Sequence, residues 1–226
     1  MVAVIGLREL GALARRPLAD VVSPFDESPY VLLGLEKPAA GPIGETDPAM
    51  VRWLRRQPCP VIAIAEAGAH EDLQRACDVV VTEPADLEAV LRNVRASPLA
   101  AMMLVQVLRV TEQLPVEQAL VVESLAFATL QCGPEFRRWL DGRPPPRATD
   151  DGSAGPPVMV ERHGDDVAIR LNRPSRRNAL SVEVRDALCE ALELVAADPT
   201  IQTARVSGNG RCFSSGGDLD EFGTAP

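Results

Sequence analysis

Continuous apolar runs alternate along the first part of the chain with segments whose apolar residues recur at helical spacing. The runs Tyr30–Leu35 and Pro60–Ala65 are apolar throughout, which predicts two buried strands of a parallel sheet. Between them, Asp47 and Pro48 supply a helix N-cap and a first-turn proline, so a helix is predicted over Ala49–Gln57. Strand, helix and strand in this order indicate an α/β layer.

The next segment of the chain is Asp86–Leu130. Its apolar residues are spaced along one amphipathic face, which predicts burial either in the core or in an interface with another chain. This face consists of Leu104, Val107, Leu108, Leu120, Leu125 and Phe127.

The pattern changes at Val158. The segments Val158–Arg162 and Val167–Leu171 alternate apolar and polar residues around a short turn, which predicts a β-hairpin. Ser181 then caps a predicted helix over Val182–Ala196. Residues 201–206 are predicted to form the next strand.

The stretch V-S-G-N-G-R-C-F-S-S-G-G-D-L-D-E-F, residues 206–222, predicts the end of a buried strand, a glycine turn and the first turn of a helix. Cys212 and Phe213 are expected to lie in the interior, and Asp218 is expected to cap the helix with Glu221 as its capping partner. Such a turn leaves main-chain N–H groups unpaired and directed outward, as in an anion or oxyanion site. From these residues alone, an ordinary turn whose N–H groups meet water is the alternative.

Upstream of this stretch the chain reads L-N-R-P-S-R-R-N-A-L-S, residues 171–181. Together with F-S-S-G-G-D-L-D-E-F, it resembles the start of the enoyl-CoA hydratase/isomerase (crotonase) family. The resemblance implies a catalytic role for Gly217, whose N–H would be one donor of an oxyanion hole for a thioester carbonyl. It also implies an acyl-CoA substrate. For Arg177, a side chain that is merely exposed to solvent is the alternative to a substrate-binding role. The implied substrate-binding residues are Arg177, Ala179, Ser215, Gly216, Asp218 and Leu219.

The first half of the chain resembles other parts of the same family. The resemblance lies in L-R-R-Q-P-C-P-V-I-A-I-A-E-A-G and L-Q-R-A-C-D-V-V-V, and residues 96–101 and 114–128 resemble the helical C-terminal end. Residues 50–142 are therefore interpreted as a degenerate, contracted copy of the fold. Its loop Glu66–Asp72 is nearly without glycine, so a second oxyanion N–H is not expected there. In the family, the closing helices pack on a neighbouring subunit, which implies a homo-oligomer of the trimer type.

These resemblances imply an α/β fold of crotonase-like β-β-α layers in two copies. We expect a degenerate α/β domain with a helical end over 1–142 and the N-terminal portion of a crotonase domain over 158–226. Residues 143–157, rich in Pro, Gly and Asp, are predicted to be a linker. The second copy is expected to be incomplete, because residues 158–226 contain neither the second donor loop nor the catalytic carboxylates of the family. One missing oxyanion donor typically costs about 2.7–4 kcal/mol of transition-state stabilisation.

Three hypotheses on function follow. The favoured one is an enoyl-CoA hydratase/isomerase-type enzyme of fatty acid metabolism, a lyase or isomerase that stabilises a thioester enolate. This chain alone is then incomplete for catalysis, and a missing segment or a complementary chain supplies the acid/base groups. The second hypothesis is a non-catalytic acyl-CoA-binding or assembly subunit. The third is a circular permutation, in which residues 51–142 supply the late part of the fold and residues 158–226 the early part.

The composition of the chain limits the kinds of binding partner and the cellular location that we expect. The 226 residues include 23 Lys+Arg and 32 Asp+Glu, and a net charge of −9 argues against a nucleic-acid partner. No apolar run is long enough for a membrane helix and no leader pattern is present, so a cytoplasmic protein without a membrane partner is expected. No cofactor is expected beyond the coenzyme A of the substrate.

The scattered cysteines predict neither disulfides nor a metal site, and they are interpreted as small buried hydrophobic residues: Cys59, Cys77, Cys132, Cys189 and Cys212.

Overall fold

A computed structural model of the chain describes residues 4–16, 21–36, 46–66, 68–144 and 155–224. Residues 37–45 and most of the predicted linker at 143–157 lie outside the described residues. The chain divides into two compact units, unit 1 (Met1–Asp141) and unit 2 (Gly142–Pro226).

Unit 1 is built on a three-stranded parallel sheet with its middle strand buried on both faces. Its first elements are α1 (Leu7–Ala14), β1 (Val31–Leu35), α2 (Pro48–Arg55), β2 (Val61–Ala65), α3 (Glu71–Ala76) and β3 (Val79–Val81). The strand order is β1-β2-β3, with Val31 opposite Val61 and Ile62 opposite Val79. The predicted cap of α2 is confirmed, because Asp47 Oδ1 accepts the N–H of Ala49 at 2.9 Å.

Four helices complete unit 1: α4 (Pro84–Ala96), α5 (Pro98–Thr111), α6 (Val116–Gln131) and α7 (Pro134–Asp141). One face of the sheet packs on α1, α2 and α3 through a core that includes Leu33 and Leu54. The other face, which includes Leu32 and Ile62, packs on Leu91 of α4. Helices on both faces explain why β1 and β2 are apolar without alternation.

The apolar face predicted along α5 and α6 does not lie in the core. Leu104, Leu108, Leu120 and Leu125 are each more than half exposed, Phe127 is 45% exposed, and α6 has no buried residue. Core burial was therefore the wrong alternative for these side chains, because they belong to neither of the hydrophobic cores described for unit 1, and α6 packs on its neighbours α5 and α7. None of the described helices is by itself long and apolar enough to cross a membrane. The pair α4 and α5, bent by 106°, meets that criterion only by combined length and composition.

A largely buried ion pair connects α5 to the sheet of unit 1. Arg109 Nη2 lies 2.5 Å from Asp78 Oδ2, and both side chains are only 10% exposed. The same carboxylate oxygen accepts the N–H of Val61 at 2.7 Å, at the start of β2. The sequence did not reveal this pair, because its partners lie on separate elements.

The cysteines are not uniformly buried. Cys59 is buried, and burial raises the pKa of its thiol to about 11. Burial likewise raises the pKa of the partly buried Cys77 to about 12. Cys132 and Cys189 are exposed, so the prediction of burial is wrong for these two. Among the described residues, no three His, Cys, Asp or Glu side chains are grouped so that they could hold a metal ion.

Unit 2 consists of a three-stranded sheet and one long helix. Its elements are β4 (Val158–His163), β5 (Asp166–Leu171), α8 (Val182–Ala197) and β6 (Thr203–Gly208), with 3-10 turns at Pro174–Arg176 and Leu219–Glu221. The predicted hairpin is confirmed, since β4 and β5 are antiparallel, and β6 adds to β5 in parallel. Ser181 caps α8 as predicted, with its Oγ accepting the N–H of Val184 at 3.3 Å.

Three expectations about the segment after α8 are wrong. The strand β6 is not buried: Val206 is 38% exposed, because α8 packs on β4 and β5 and leaves β6 at the edge of the described sheet. Phe213, expected in the interior, is 59% exposed. Glu221 is not the capping partner of Asp218, because its Oε2 accepts the N–H of Val182 at 2.8 Å, at the start of α8.

Candidate active site

Asn178 connects the loop after β5 to the loop after β6. Its side chain is 1% exposed, and its Oδ1 accepts the N–H of Arg173 at 2.9 Å. Its Nδ2 donates to the carbonyls of Asn209 at 2.9 Å and Cys212 at 2.8 Å. The Oγ of Ser214 donates to the Asn178 carbonyl at 2.8 Å. The N-A-L and G-N-G-R-C-F-S segments are therefore held together by one buried amide.

A glycine at position 208 permits this close approach. A Cβ at Gly208 would lie 2.7 Å from Asn178 Nδ2 and 2.4 Å from the carbonyl oxygen of Phe213. Both distances are well below van der Waals contact, so any side chain here would separate the two loops.

Leu180 fixes the orientation of Gly217. The N–H of Leu180 donates to the Gly216 carbonyl at 2.9 Å, and the Leu180 carbonyl accepts the N–H of Asp218 at 3.0 Å. The peptide between Gly216 and Gly217 is trans, so its N–H points opposite to its carbonyl. The N–H of Gly217 therefore points away from Leu180, and within the described part of the chain it has no hydrogen-bond acceptor.

The conformation of the turn requires glycine at position 216 and leaves little space for a side chain at position 217. Gly216 has φ of +88°, in the left-handed region that glycine adopts without strain. Gly217 is exposed, and a Cβ there would lie 3.2 Å from the ring of Phe222. The two glycines thus shape a turn with one outward N–H at residue 217.

Asp218 is a buried carboxylate held by two arginines. Its side chain is 7% exposed, with Oδ2 at 3.1 Å from Arg173 Nη1 and Oδ1 at 3.4 Å from Arg176 Nη2. The predicted capping role holds for a 3-10 turn, since Oδ1 accepts the N–H of Asp220 at 3.2 Å. The main-chain N–H of Asp218 is engaged by Leu180 and is not open to a ligand.

Asp220 extends this network outward. It is bonded by Arg176 Nη2, and its Oδ1 accepts from Arg143 Nη2 at 3.0 Å. The hydrogen bond from Arg176 lowers the pKa of Asp220, and the same bond raises the pKa of Arg176. Both groups therefore stay charged around neutral pH.

The predicted site residues meet around one cleft of about 530 Å³ in unit 2. Gly217 lines this cleft together with the predicted substrate-binding residues Arg177, Ala179, Ser215, Asp218 and Leu219. Gly216 does not line it, and its carbonyl is directed to Leu180. The sequence did not single out four further lining residues, whose pairing becomes visible only in the fold: Arg143, Ser175, Arg176 and Asp220.

Arg177 differs from its arginine neighbours. It has φ of +52°, is exposed, and forms no ion pair within the described part of the chain. Arg143, Arg173 and Arg176, by contrast, are each paired with Asp218 or Asp220. Three of these guanidinium groups, those of Arg143, Arg176 and Arg177, line the cleft with the two carboxylates, so its lining has a local excess of positive charge in a chain whose net charge is −9.

Residues 167–225 match the family model of enoyl-CoA hydratase/isomerase. This segment contains most of β5, the loop with Arg173, Arg176 and Arg177, then α8, β6 and the turn at Gly217. The resemblance of this segment to the family is therefore confirmed. The predicted copy over residues 50–142 lies outside the matched segment and stays a prediction.

Individual relatives agree with the family match. The chain is 39% identical over 66 residues to enoyl-CoA hydratase EchA19 of Mycobacterium tuberculosis, a match that covers 29% of this chain and 25% of the relative. It is 38% identical over 65 residues to 2,3-dehydroadipyl-CoA hydratase of Escherichia coli, covering 29% and 26%. It is 35% identical over 79 residues to enoyl-CoA delta isomerase 2 of Homo sapiens, covering 34% and 20%. The chain spans about a quarter of the length of the curated relatives it matches.

Solved structures with local similarity include an enoyl-CoA hydratase of Mycobacterium tuberculosis, at 31% identity and a TM-score of 0.29 over 30% of this chain and 32% of that chain. Another is an enoyl-CoA hydratase of Mycobacterium avium subsp. paratuberculosis, at 35% identity and a TM-score of 0.27 over 29% of this chain and 27% of that chain.

Proposed function

We propose that unit 2 binds an acyl-CoA thioester and that the N–H of Gly217 donates a hydrogen bond to the thioester carbonyl oxygen, in an enoyl-CoA hydratase/isomerase-type reaction. One observation carries the proposal: Leu180 fixes the peptide between Gly216 and Gly217 at the cleft, and the N–H of Gly217 has no acceptor among the described residues. The family match over residues 167–225 supports it, since this turn lies inside the matched segment.

The chemistry of the proposed reaction explains why a fixed N–H is useful. Two steps place negative charge on the carbonyl oxygen of the thioester. One is the addition of water to the β carbon, and the other is the removal of a proton from a carbon whose negative charge is then delocalised onto the carbonyl. A donor that is already oriented stabilises this enolate more than it stabilises the neutral carbonyl, so it lowers the barrier. Losing one such donor typically costs about 2.7–4 kcal/mol.

The cleft also offers groups for the coenzyme A part of the substrate. We propose that the guanidinium of Arg177, which has no ion-pair partner among the described residues, binds a phosphate oxygen, because arginine matches phosphate with paired N–H donors. Ser215 and Leu219 offer exposed surface beside Gly217. Ala179 contributes contact surface only, because its N–H donates to the Arg176 carbonyl and its carbonyl accepts from Arg173.

The carboxylates at the turn are not placed to move protons. Asp218 and Asp220 are paired with arginines, and Glu221 caps α8. A general base needs a free carboxylate within reach of the substrate. We therefore propose that the acid/base group and the second oxyanion donor come from a further segment or from a complementary or identical chain.

The same pairing favours a second candidate function, a non-catalytic acyl-CoA-binding subunit. In that case the carboxylates serve only to shape the cleft, and binding is the whole function. The two candidates share the Gly217 contact and differ in whether any assembly of this chain turns over its ligand.

A conjugated dienoyl thioester of coenzyme A tests the proposal directly, because its absorption band moves to longer wavelength when the carbonyl accepts a hydrogen bond. We expect the full chain to bind it with such a shift. Gly217→Pro, which lacks the N–H, should lose the shift. Gly217→Ala is the matched control, because it keeps the N–H and adds only a methyl group near Phe222.

Two results would contradict the proposal: no binding by the unaltered chain, or an identical shift with Gly217→Pro. Circular dichroism of each variant checks that the fold is retained. An assay for hydration or isomerisation of the thioester by the chain in its natural assembly then separates the two candidate functions.

A further inference from the structure

Arg143 lies outside the segment that matches the family, yet it contacts the 3-10 turn Leu219–Glu221, which begins two residues after Gly217. Its Nη1 donates to the carbonyl of Leu219, and its Nη2 donates to Asp220 Oδ1 at 3.0 Å. The two side chains of the ion pair are 21% and 24% exposed. One guanidinium therefore binds both a main-chain and a side-chain oxygen of the 3-10 turn Leu219–Glu221.

We infer that Arg143 is a positioning residue for the proposed acyl-CoA site, an inference that rests on the proposed function of Gly217. It acts through the turn and not on the reacting atoms. The segment before the family match thus contributes to the site, although Arg143 was expected only to begin a linker.

The inference follows from how the turn is anchored. On the side before Asp218, Leu180 bonds the Gly216 carbonyl and the Asp218 N–H. On the side after Asp218, the Leu219 carbonyl accepts the N–H of Phe222 at the long distance of 3.3 Å, and Arg143 adds a charged donor to the same oxygen. Hydrogen bonds from a charged donor are shorter and stronger than neutral ones. Arg143 therefore restrains the half of the turn that Leu180 does not reach.

Charge couples Arg143 to the rest of the cleft as well. Asp220 is shared between Arg143 and Arg176, and Arg176 also contacts Asp218. Removing Arg143 removes one of the two arginines that are paired with Asp220. The guanidinium of Arg176, which contacts both Asp218 and Asp220, is then expected to move toward Asp220. We expect the turn to loosen and the Gly217 N–H to lose part of its fixed direction.

The first experiment needs no ligand. Hydrogen–deuterium exchange of the full chain, followed in the peptide that covers residues 214–222, should be faster in Arg143→Gln than in the unaltered chain. Arg162→Gln is the matched control, because Arg162 is also paired with a carboxylate in unit 2, that of Asp198, but does not line the cleft. Arg143→Lys keeps the charge but has one ammonium in place of the fork, so it should restore the protection only in part.

The second experiment uses the dienoyl thioester of coenzyme A. We expect Arg143→Gln to weaken its binding by roughly three- to tenfold, as for the loss of one partly exposed charged hydrogen-bonding group, and to reduce the shift of the absorption band. Arg162→Gln should change neither. Exchange in residues 214–222 that is unchanged by Arg143→Gln overturns the inference, and so does tighter binding, which would mean that Arg143 blocks the cleft. If the unaltered chain does not bind the thioester, the proposed function fails, whereas the exchange result still decides whether Arg143 holds the turn.

Discussion

The N–H of Leu180 donates to the carbonyl of Gly216 at 2.9 Å, which joins the loop after β5 to the turn after β6. Because the return bond from Asp218 to the Leu180 carbonyl is also formed, Gly217 is held on both sides as in a parallel strand pair. The direction of the Gly217 N–H therefore depends on the backbone of Leu180 and not on its side chain.

Leu180→Pro tests this dependence, because proline has no N–H to hold Gly216. We expect the free energy of unfolding to fall by about 0.5–1.5 kcal/mol, as for the loss of one hydrogen bond to an exposed glycine, and the band shift of bound dienoyl-CoA to disappear. Leu180→Ala keeps both main-chain bonds and alters a side chain that is 38% exposed, so it should retain the shift. Urea unfolding and absorption spectra measure the two effects. A Leu180→Pro variant that is folded and keeps the shift would show that Leu180 does not orient Gly217.

The local signals predicted several of the elements. The apolar runs gave β1 and β2, the caps Asp47 and Ser181 gave the starts of α2 and α8, and the alternation after Val158 gave the hairpin. Each of these signals consists of residues that are close together in the sequence, so it can be recognised without knowledge of the fold.

Properties that depend on distant contacts could not be predicted in this way. The exposure of β6 follows from where α8 packs, and the apolar composition of Ala204–Val206 does not reveal it. The role of Leu180 rests on main-chain atoms, which every residue has. The opposite charges of Arg176 and Asp220 were visible in the sequence, but their pairing across two loops required the fold.

Asn178 is expected to be the most sensitive polar position of the site. Asn178→Ala removes the partners of Arg173 N–H and of the Asn209 and Cys212 carbonyls, and it places alanine at φ of +52°. We expect the free energy of unfolding to fall by about 3 kcal/mol, because buried polar groups lose their partners. Asn178→Gly loses the same bonds but tolerates positive φ, so it should be about 0.5–1 kcal/mol more stable than the alanine variant. Equal stability of Asn178→Ala and the unaltered chain would refute this assignment.

The pairing of Asp220 makes the turn sensitive to acid. The hydrogen bond from Arg176 lowers the pKa of Asp220 in the folded chain, whereas in the unfolded chain this carboxyl titrates near the usual value of about 3.9. The unfolded state therefore binds more protons at mildly acidic pH, so the stabilisation is fully present above the unfolded pKa and is lost as the pH falls through the folded pKa.

Asp220→Asn should accordingly be less stable than the unaltered chain near neutral pH, and the difference should shrink below about pH 4. Arg176→Gln should raise the pKa of Asp220 toward its usual value, because the strongest donor to that carboxylate is removed. Urea unfolding at several pH values and carbon-13 NMR of the Asp220 carboxyl measure these effects. A stability difference that is constant from neutral to acid pH, or an Asp220 pKa unmoved by Arg176→Gln, would mean that the arginine pairing does not hold this carboxylate in its charged form. In that case the pair of Arg176 and Asp220 would not restrain the 3-10 turn that follows Gly217.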